Sequence, residues 1–392
     1  MGVPPMFRRK TRASCPYHSD CHLTARLPRV DDFGWFARMA SSSSLAARGV
    51  VRWGIIGCGD VTEVKSGPGF RKASGSALVA VMRRNGALAA DYAKRHGVAR
   101  SYDDARALVH DPEVDAVYVA TPPGAHLDAA LLVAAAGKPC YMEKPMARHT
   151  PECDAMIAAF AAAKQKLFVA YYRRAMPRFL KALEILRSGT LGTLTGINYR
   201  LATPLPANAD PANGAWRLDA TNAGGGLLLD VGSHLLDYLD FCLGPLEDVH
   251  GRAARLASPG VVEDAVAMTF RTFDGVPGAA SWNFASHAKD DTLEFQGTKG
   301  RLSFLFFSAE PVRLETARGV ETFDLPNPPH VAQPLIQTVV DDLLGRGTCA
   351  STAESARRTQ AVMDRVLDAY YGGRADAFWT RPQAWPGNQT KA

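Results

Sequence analysis

Short apolar runs alternate with amphipathic stretches along the first half of this 392-residue chain. The apolar runs cover residues 51–56, 77–82, 115–120, 139–142 and 167–170. Runs of this length, followed by turn-forming residues, are typical of strands buried on both faces of a parallel sheet. Between them, residues 87–96, 102–109, 126–136 and 151–164 have helical length and composition. This alternation predicts a doubly wound α/β sheet.

From residue 194 onward the pattern changes to short alternating or aromatic runs separated by tight-turn signals. These predicted strands cover residues 196–201, 247–256, 265–272, 279–286, 292–296, 301–306 and 312–316. They predict a largely antiparallel open sheet, with helices 178–187, 335–344 and 353–371 around it. Residues 302–307, LSFLFF, place apolar side chains at both even and odd positions, so we expect helices on one face and a partner subunit on the other.

Composition and charge narrow the functional classes. The hydrophobic fraction of 47% and charged fraction of 21% are those of a globular protein, and no apolar run reaches bilayer length. The net charge of +6 sits almost entirely in residues 1–50, so the body of the chain has no nucleic-acid-binding charge pattern. Seven cysteines without framework spacing favour a reducing, cytoplasmic compartment and argue against a membrane or extracellular role.

The first 49 residues are rich in Pro, Arg and Ser and predict a disordered extension. Cys15, His18, Cys21 and His22 are spaced closely enough to suggest a metal site. In such a segment incidental Cys and His residues are the better interpretation, and we expect no metal.

A glycine turn follows the first strand. Gly57 and Gly59 stand directly after residues 51–56 and before a helix-like segment, where a tight turn brings backbone N–H groups close to a pyrophosphate. Thr62 occupies the third glycine position of the usual pattern. After the second strand no acid is present, and Arg83 and Arg84 stand there instead, which favours a 2′-phosphate and therefore NADP(H), with NAD(H) possible.

Four motifs in order identify a family resemblance over about residues 51–371. They are the Gly57/Gly59 turn, Thr121-Pro122-Pro123 with His126, Glu143-Lys144-Pro145, and Gly224-Gly225-Gly226 followed by Asp230, Gly232, His234 and Asp237. The chain resembles the Gfo/Idh/MocA oxidoreductases (glucose–fructose oxidoreductase, inositol 2-dehydrogenase and rhizopine catabolism proteins), and within them the NADP-using sugar reductases. The resemblance implies a Rossmann nucleotide domain, a second domain with an open sheet, and association through the face of that sheet.

The resemblance also implies residue roles. Lys144 is expected to be the active-site lysine with a cis bond to Pro145, while Asp230 and His234 face the substrate. Candidate cofactor-binding residues are Gly57, Gly59, Asp60, Val61, Arg83, Arg84, Thr121, Pro122, Pro123, His126, Glu143 and Lys144. Candidate substrate residues are Arg174, Trp216 and Arg217, with Tyr172 and Arg173 beside them.

Asp230, His234 and Asp237 have helical spacing, so the carboxylates are expected to flank the imidazole and raise its pKa. The glycine triplet before them is expected to let a ligand approach the backbone. Lys144 as ammonium and His234 as imidazolium are both candidates for the proton donor, and the sequence leaves their order open.

The predicted organisation has five parts: a disordered extension (1–49), a Rossmann domain (50–172), an α+β substrate and oligomerisation domain (173–330), C-terminal helices packing near the Rossmann domain (331–373) and a tail (374–392). The predicted protein is an NADP(H)-dependent oxidoreductase acting on a carbonyl or secondary alcohol of a sugar, polyol or related molecule, assembled as a homodimer or homotetramer. Two alternatives stay open: glycoside hydrolysis or elimination with tightly bound NAD recycled in place, and a non-enzymatic NADP-responsive regulator.

Overall fold

The computed structural model describes residues 43–205 and 216–389. Its first sheet has six parallel strands in the order β3-β2-β1-β4-β5-β6. The strands are β1 (Val51–Ile56), β2 (Ser76–Met82), β3 (Arg100–Tyr102), β4 (Ala116–Val119), β5 (Cys140–Met142) and β6 (Leu167–Val169). This order confirms the doubly wound sheet, and its direction reverses between β1 and β4. Strand β3 was not expected, because its three residues RSY carry no apolar run.

The helices of this domain are α1 (Ser43–Arg48), α2 (Asp60–Val64), α3 (Gly67–Lys72), α4 (Gly86–His96), α5 (Ala105–His110), α6 (His126–Ala135) and α7 (Thr150–Ala162). Helices α4, α6 and α7 lie within two residues of the predicted bounds, and α5 begins three residues later than predicted. Asn85 caps α4 through a hydrogen bond from the Leu88 N–H, and Gly97 ends it in the left-handed conformation. Helix α1 lies inside the stretch expected to be disordered. Arg48 pairs there with Asp115, which ties the helix to the sheet. The Cys15–His22 cluster lies outside the described residues.

The second sheet has eight strands in the order β14-β13-β12-β11-β7-β10-β9-β8, antiparallel except where β7 meets β10. The strands are β7 (Leu194–Ala202), β8 (Leu246–Ala254), β9 (Ala265–Thr272), β10 (Pro277–Asn283), β11 (Asp290–Gly297), β12 (Gly300–Phe304), β13 (Val312–Thr316) and β14 (Gly319–Phe323). The remaining helices are α8 (Pro177–Arg187), α9 (Ala220–Ala223), α10 (Ser233–Leu243), α11 (Gln333–Leu343) and α12 (Ala353–Tyr371).

The outer face of the second sheet is polar, which corrects the expectation of apolar residues on both faces. Burial alternates strictly along β7, where Ile197, Tyr199 and Leu201 face the core while Asn198 and Arg200 are exposed. Leu305 does not extend the apolar pattern outward, because β12 ends at Phe304. The period of two therefore sorts this sheet into one apolar and one polar face.

Residues from the end of the chain complete both domains. Helix α11 packs on α3, and its Leu335, Ile336 and Val339 join Trp53 and Phe70 in one core of the Rossmann domain. The segment 374–389, expected to be a tail, packs against the second domain. Its residues Phe378 and Trp385 are fully buried in the larger core.

Candidate active site

The glycine turn after β1 has the geometry of a phosphate-binding loop. Gly57 has φ +91°, and a Cβ there would lie 2.8 Å from Thr121 Cγ2 at the end of β4, so only glycine fits. A Cβ at Gly59 would meet nothing closer than the Gly57 carbonyl oxygen at 4.0 Å. Open space therefore lies above Gly59, where helix α2 begins with Asp60 and Val61.

The end of β2 presents two cations beside this turn. The side chains of Arg83 and Arg84 are exposed and make no hydrogen bond or ion pair with any described residue. Burial raises the pKa of the Cys58 thiol to about 11, and the charge of Arg83 partly opposes the shift, which places this guanidinium close to the turn. Both arginines are therefore available to a ligand phosphate.

The Thr121–His126 segment forms the next side of the crevice. Pro123–Ala125 is a 3-10 turn that leads directly into α6. The Thr121 hydroxyl is buried and has no hydrogen-bond partner among the described residues. Its position at a strand's carboxyl end and its free hydrogen-bonding capacity suit a nicotinamide amide. These open donors, the glycine turn and the arginines together fit a dinucleotide.

His126 lies behind this surface rather than on it. It is fully buried, and its ring nitrogens lie 3.1 Å from the Met146 carbonyl oxygen and 2.8 Å from the Thr121 carbonyl oxygen. Burial lowers the pKa of the imidazole, so the neutral ring donates to one carbonyl at a time. His126 was expected to contact the cofactor directly. It instead links the loop after β4 to the loop after β5.

Lys144 and Asp230 form the centre of the site. Lys144 follows β5, its bond to Pro145 is cis, and its Nζ donates to Asp230 Oδ1 at 2.5 Å and to the Asp230 carbonyl oxygen at 2.7 Å. Burial alone would raise the pKa of Asp230, but Lys144 and then Arg217 outweigh it and lower the value to about 2. The carboxylate is therefore ionised and holds the ammonium in one place.

The glycine triplet before Asp230 serves close protein packing, which corrects the expectation of a ligand approach there. Gly224 has φ +82°, and a Cβ on it would lie 2.6 Å from Arg148 Cα. A Cβ on Gly226 would lie 2.2 Å from the Glu263 carbonyl oxygen. The Gly226 N–H donates to both oxygens of the Glu263 carboxylate, so the loop is fixed by backbone contacts.

His234 is not flanked by carboxylates as its spacing suggested. Residues Leu228–Gly232 form a π-helical turn before α10, so Asp230 and His234 do not share one α-helical face. His234 makes no hydrogen bond with any described residue and packs edge-on against Tyr171, Tyr172 and Phe307. Burial, then the charges of Arg173 and Lys144, hold its pKa well below the ordinary value. The imidazole is neutral, and the expected rise in its pKa is wrong.

Arg174 and Asp237 form a separate, structural ion pair. The guanidinium donates to Asp237 Oδ2 at 2.8 Å and to Oδ1 at 2.6 Å, and also to the Ala350 carbonyl oxygen. Both side chains are buried. The proposed substrate role of Arg174 is therefore corrected, because its donors already have protein partners.

Of the two other expected substrate residues, Arg217 reaches the centre and Trp216 lies beside Arg217. Arg217 Nε donates to Asp230 Oδ2 at 3.0 Å, and its guanidinium lies over the Trp216 ring, 4.5 Å from the centroid. Arg217 is exposed, so it borders the open side of the Lys144–Asp230 pair.

A buried chain of polar groups behind Lys144 was not expected as a unit. Glu143 accepts from the Tyr118 hydroxyl at 2.5 Å and from the Lys144 N–H at 3.1 Å. Tyr118 also contacts Ser66 Oγ at 3.1 Å. Burial raises the pKa of Glu143, although Lys144 opposes it. The only sequence signal for Tyr118 was its hydroxyl group inside an otherwise apolar strand.

Within the described ranges, no group of three or more His, Cys, Asp or Glu residues could hold a metal ion. None of the helices of this part of the chain is long and apolar enough to cross a membrane.

Comparison with known families gives the class. The model for the oxidoreductase family with an NAD-binding Rossmann fold matches residues 51–171, and the Gfo/Idh/MocA C-terminal domain matches residues 179–303. The chain therefore belongs to the Gfo/Idh/MocA family and is an NAD(P)-dependent oxidoreductase.

Individual relatives span nearly the whole domain pair. Oxidoreductase P35 of Formosa agariphila is 33% identical over 82% of this chain and 98% of its own length. The 1,5-anhydro-D-fructose reductase of Ensifer adhaerens is 29% identical over 83% and 97% respectively. A levoglucosan dehydrogenase in complex with NADH and levoglucosan has the same fold, with a TM-score of 0.73 at 22% identity, covering 81% of this chain and 96% of that one.

Proposed function

We propose that this protein is an NADP(H)-dependent oxidoreductase that interconverts a carbonyl and a secondary alcohol of a sugar or polyol. The observation that carries the proposal is the Lys144–Asp230 pair, which lies after β5 in the same crevice as the glycine turn. A positioned ammonium at the cofactor crevice is suited to proton transfer at the reacting oxygen. The sugar substrate of the 1,5-anhydro-D-fructose reductase supports the substrate class.

The preference for NADP(H) is inferred from Arg83 and Arg84. Their side chains are exposed beside the glycine turn and have no carboxylate partner among the described residues. A guanidinium binds a phosphate through paired charge-assisted hydrogen bonds, whereas an NAD-preferring domain has an acid at this position. NAD(H) remains a usable second cofactor, because the glycine turn serves both.

The bound cofactor supplies or accepts the hydride. In the reducing direction, Lys144 donates a proton from its ammonium to the oxygen of the carbonyl group as that oxygen gains negative charge. Asp230 keeps Nζ in position through two hydrogen bonds. In the oxidising direction, the deprotonated amine of Lys144 takes the proton of the alcohol.

We assign His234 a different role from Lys144. Its neutral imidazole can donate or accept one hydrogen bond at the same oxygen. Because the ring is not an imidazolium at pH 7, it has no acidic proton to transfer. Its unpartnered Nδ1 is consistent with a ligand contact made only when substrate is bound. We therefore propose Lys144, rather than His234, as the acid.

The defining experiment measures nicotinamide absorbance at 340 nm with a panel of aldoses, ketoses, anhydrosugars and polyols, in both directions and with both cofactors. We expect turnover with NADP(H) at kcat/KM at least about tenfold above that with NAD(H). Lys144→Met is expected to lower kcat by about 10³-fold while the Kd for NADPH stays within threefold. Lys181→Met, on α8, where Nζ pairs with the exposed Glu184, is the matched control and keeps the wild-type rate.

Two outcomes would contradict the proposal. Near-normal turnover by Lys144→Met would remove the proton-transfer role. Purified protein with a stoichiometric, non-exchanging nicotinamide and no net redox turnover would instead support hydrolysis or elimination of a glycoside with the cofactor recycled in place.

We also propose that the chain forms a homodimer or homotetramer through the outer face of the second sheet. Around β9 and β10 this face carries the small side chains of Ala267, Ala279 and Ser281, which line an open concave surface that a second copy would cover. Light scattering coupled to size exclusion is expected to give twice or four times the 42.2 kDa chain mass. A single species at the monomer mass would refute this assembly.

We place the protein in the cytoplasm. Five described cysteines (Cys58, Cys140, Cys153, Cys242 and Cys349) are buried as free thiols, which is typical of proteins that work in a reducing compartment. Cell fractionation with thiol labelling tests this placement, and recovery of the protein in an oxidising compartment would contradict it.

A further inference from the structure

Arg173 is a buried cation without a carboxylate partner. Its residue surface is 7% exposed, and its guanidinium lies 5.0 Å from the Tyr172 ring centroid, 5.0 Å from that of Phe306 and 4.5 Å from that of Phe307. Its single hydrogen bond among the described residues runs from Nη1 to the Tyr172 hydroxyl at 3.0 Å. Aromatic faces compensate a buried charge only in part, so this arrangement leaves binding capacity unused.

The unused capacity lies on one edge of the guanidinium. Arg173 Nε is buried with no partner, and Nη2 makes no hydrogen bond to a described residue. The neighbouring Arg174 uses this same Nε/Nη2 edge to hold both oxygens of Asp237. The two adjacent arginines therefore differ at this edge: Arg174 has a carboxylate there, and Arg173 has none.

Arg173 faces the catalytic centre through two shared aromatic residues. Tyr172 and Phe307 both touch the Arg173 guanidinium, and their rings lie 5.2 Å and 6.3 Å from the His234 ring. The charge of Arg173 also acts on His234 directly, where it is the largest charge effect on the imidazole. A molecule that contacts His234 and Lys144 is therefore within reach of this guanidinium.

Asp291 interacts with Arg173 through charge but does not pair with it. Its carboxylate accepts from the Phe307 N–H and from the Tyr199 hydroxyl at 3.3 Å. Burial raises the pKa of Asp291, these hydrogen bonds and then the charge of Arg173 oppose the rise, and no ion pair within 4.0 Å joins the two side chains. By contrast, Lys144 and Arg217 each form an ion pair with the single carboxylate of Asp230.

We infer that Arg173 binds a carboxylate of the substrate, and that the preferred substrates are sugar acids such as uronates rather than neutral sugars. A carboxylate offers two coplanar oxygens at the spacing of the Nε/Nη2 edge, as Asp237 does for Arg174. It also brings a negative charge to a guanidinium that has no ion-pair partner among the described residues. This inference rests on the proposed oxidoreductase function and names the substrate class for that site.

The test compares each uronate with its parent aldose: D-glucuronate with D-glucose, and D-galacturonate with D-galactose, with glucose 6-phosphate as the phosphate arm. The ratio of kcat/KM for uronate to that for aldose is measured in the wild type, Arg173→Gln and Arg173→Lys. The matched control is Arg178→Gln, another buried arginine in the same aromatic cluster. Its Nε is also unpartnered, but its Nη2 already donates to the Leu305 carbonyl oxygen, so its Nε/Nη2 edge is not free for both oxygens of a carboxylate. Melting temperature and NADPH affinity establish that each variant is folded.

We expect a wild-type ratio of at least about tenfold in favour of the uronate. The ratio should fall to about one or below in Arg173→Gln, take an intermediate value in Arg173→Lys, and stay at the wild-type value in Arg178→Gln. A wild type that prefers the neutral aldose or glucose 6-phosphate overturns the inference, and so does an unchanged ratio in Arg173→Gln.

Calorimetry separates this inference from the proposed function. If no sugar is turned over with either cofactor, the oxidoreductase proposal fails, and uronate binding to the cofactor-loaded protein is measured instead. Tighter binding of glucuronate than of glucose, lost in Arg173→Gln or weakened in Arg173→Lys, supports the carboxylate site without any turnover. Equal binding of the two sugars overturns it.

Discussion

Replacing Asp230 by Asn tests the centre of the site through stability and rate together. The pKa of Asp230 is about 2 in the folded protein, against an ordinary value of 3.8. A difference of this size corresponds to about 2 kcal/mol of stability, at 1.36 kcal/mol for each pKa unit. Because the folded pKa is the lower one, the contribution is fully present above about pH 4 and is lost as the pH falls through 2.

The same loss of about 2 kcal/mol in stability determines the expected fall in Tm. At about 2.1 cal/mol/K of unfolding entropy per residue, a chain of 392 residues loses about 3 °C of Tm for this change at pH 7. The Tm difference between wild type and Asp230→Asn should shrink as the pH is lowered from 5 towards 2.5. Loss of the fixed ammonium should also lower kcat by about 10²-fold, with the Kd for NADPH within threefold.

Differential scanning calorimetry over this pH range and steady-state kinetics at pH 7 supply both readouts. Asp154→Asn is the control, because its ion pair with Arg357 is exposed and should shift Tm by less than about 1 °C. A Tm difference that is independent of pH, or an unchanged kcat, would refute the role of the Lys144–Asp230 pair described above.

Three further changes test other parts of the molecule. Replacing both Arg83 and Arg84 by Gln should raise the KM for NADP(H) by about 10–100-fold and leave that for NAD(H) within threefold, and equal effects on both cofactors would contradict phosphate recognition. The pKa of His234 lies well below 6.5, so the pH profiles of kcat/KM for wild type and His234→Asn should have the same shape near pH 6.5. NMR titration of the imidazole checks that it is neutral there. Trp385→Ala should cost about 3–5 kcal/mol, seen as a lower Tm, because the ring is fully buried against Tyr371; a Tm within 1 °C of wild type would contradict this packing.

The sequence predicted the fold well where the apolar periodicity of an element agrees with the turn or cap residues at its ends. Strands β9 and β13 and helix α12 have the predicted bounds, because their apolar periods are regular and their ends carry turn or cap residues. The three-residue strand β3 and the short helices α2 and α3 were less predictable. Pairing and packing with distant segments determine these elements.

At the site, the sequence candidates Lys144, Asp230 and Arg217 lie together, while their roles stay predictions. Helical spacing failed for His234, because a π-helical turn changes the register between Asp230 and the next helix. Spacing also could not show that Asp237 turns away to Arg174, since a long-range ion pair has no local signature. The free edge of Arg173 could be recognised only after the partners of every neighbouring group were known.

The packing of α11 on α3 has a consequence for the order in which the protein is made. The core around Trp53 and Phe70 includes Leu335 and Ile336, which emerge from the ribosome long after the six strands of the first sheet. During synthesis the nascent nucleotide domain therefore keeps an apolar face uncovered until the second domain has been translated. A chaperone that binds such a face would meet its target at this stage, and a fragment ending at residue 171 would retain that exposure permanently.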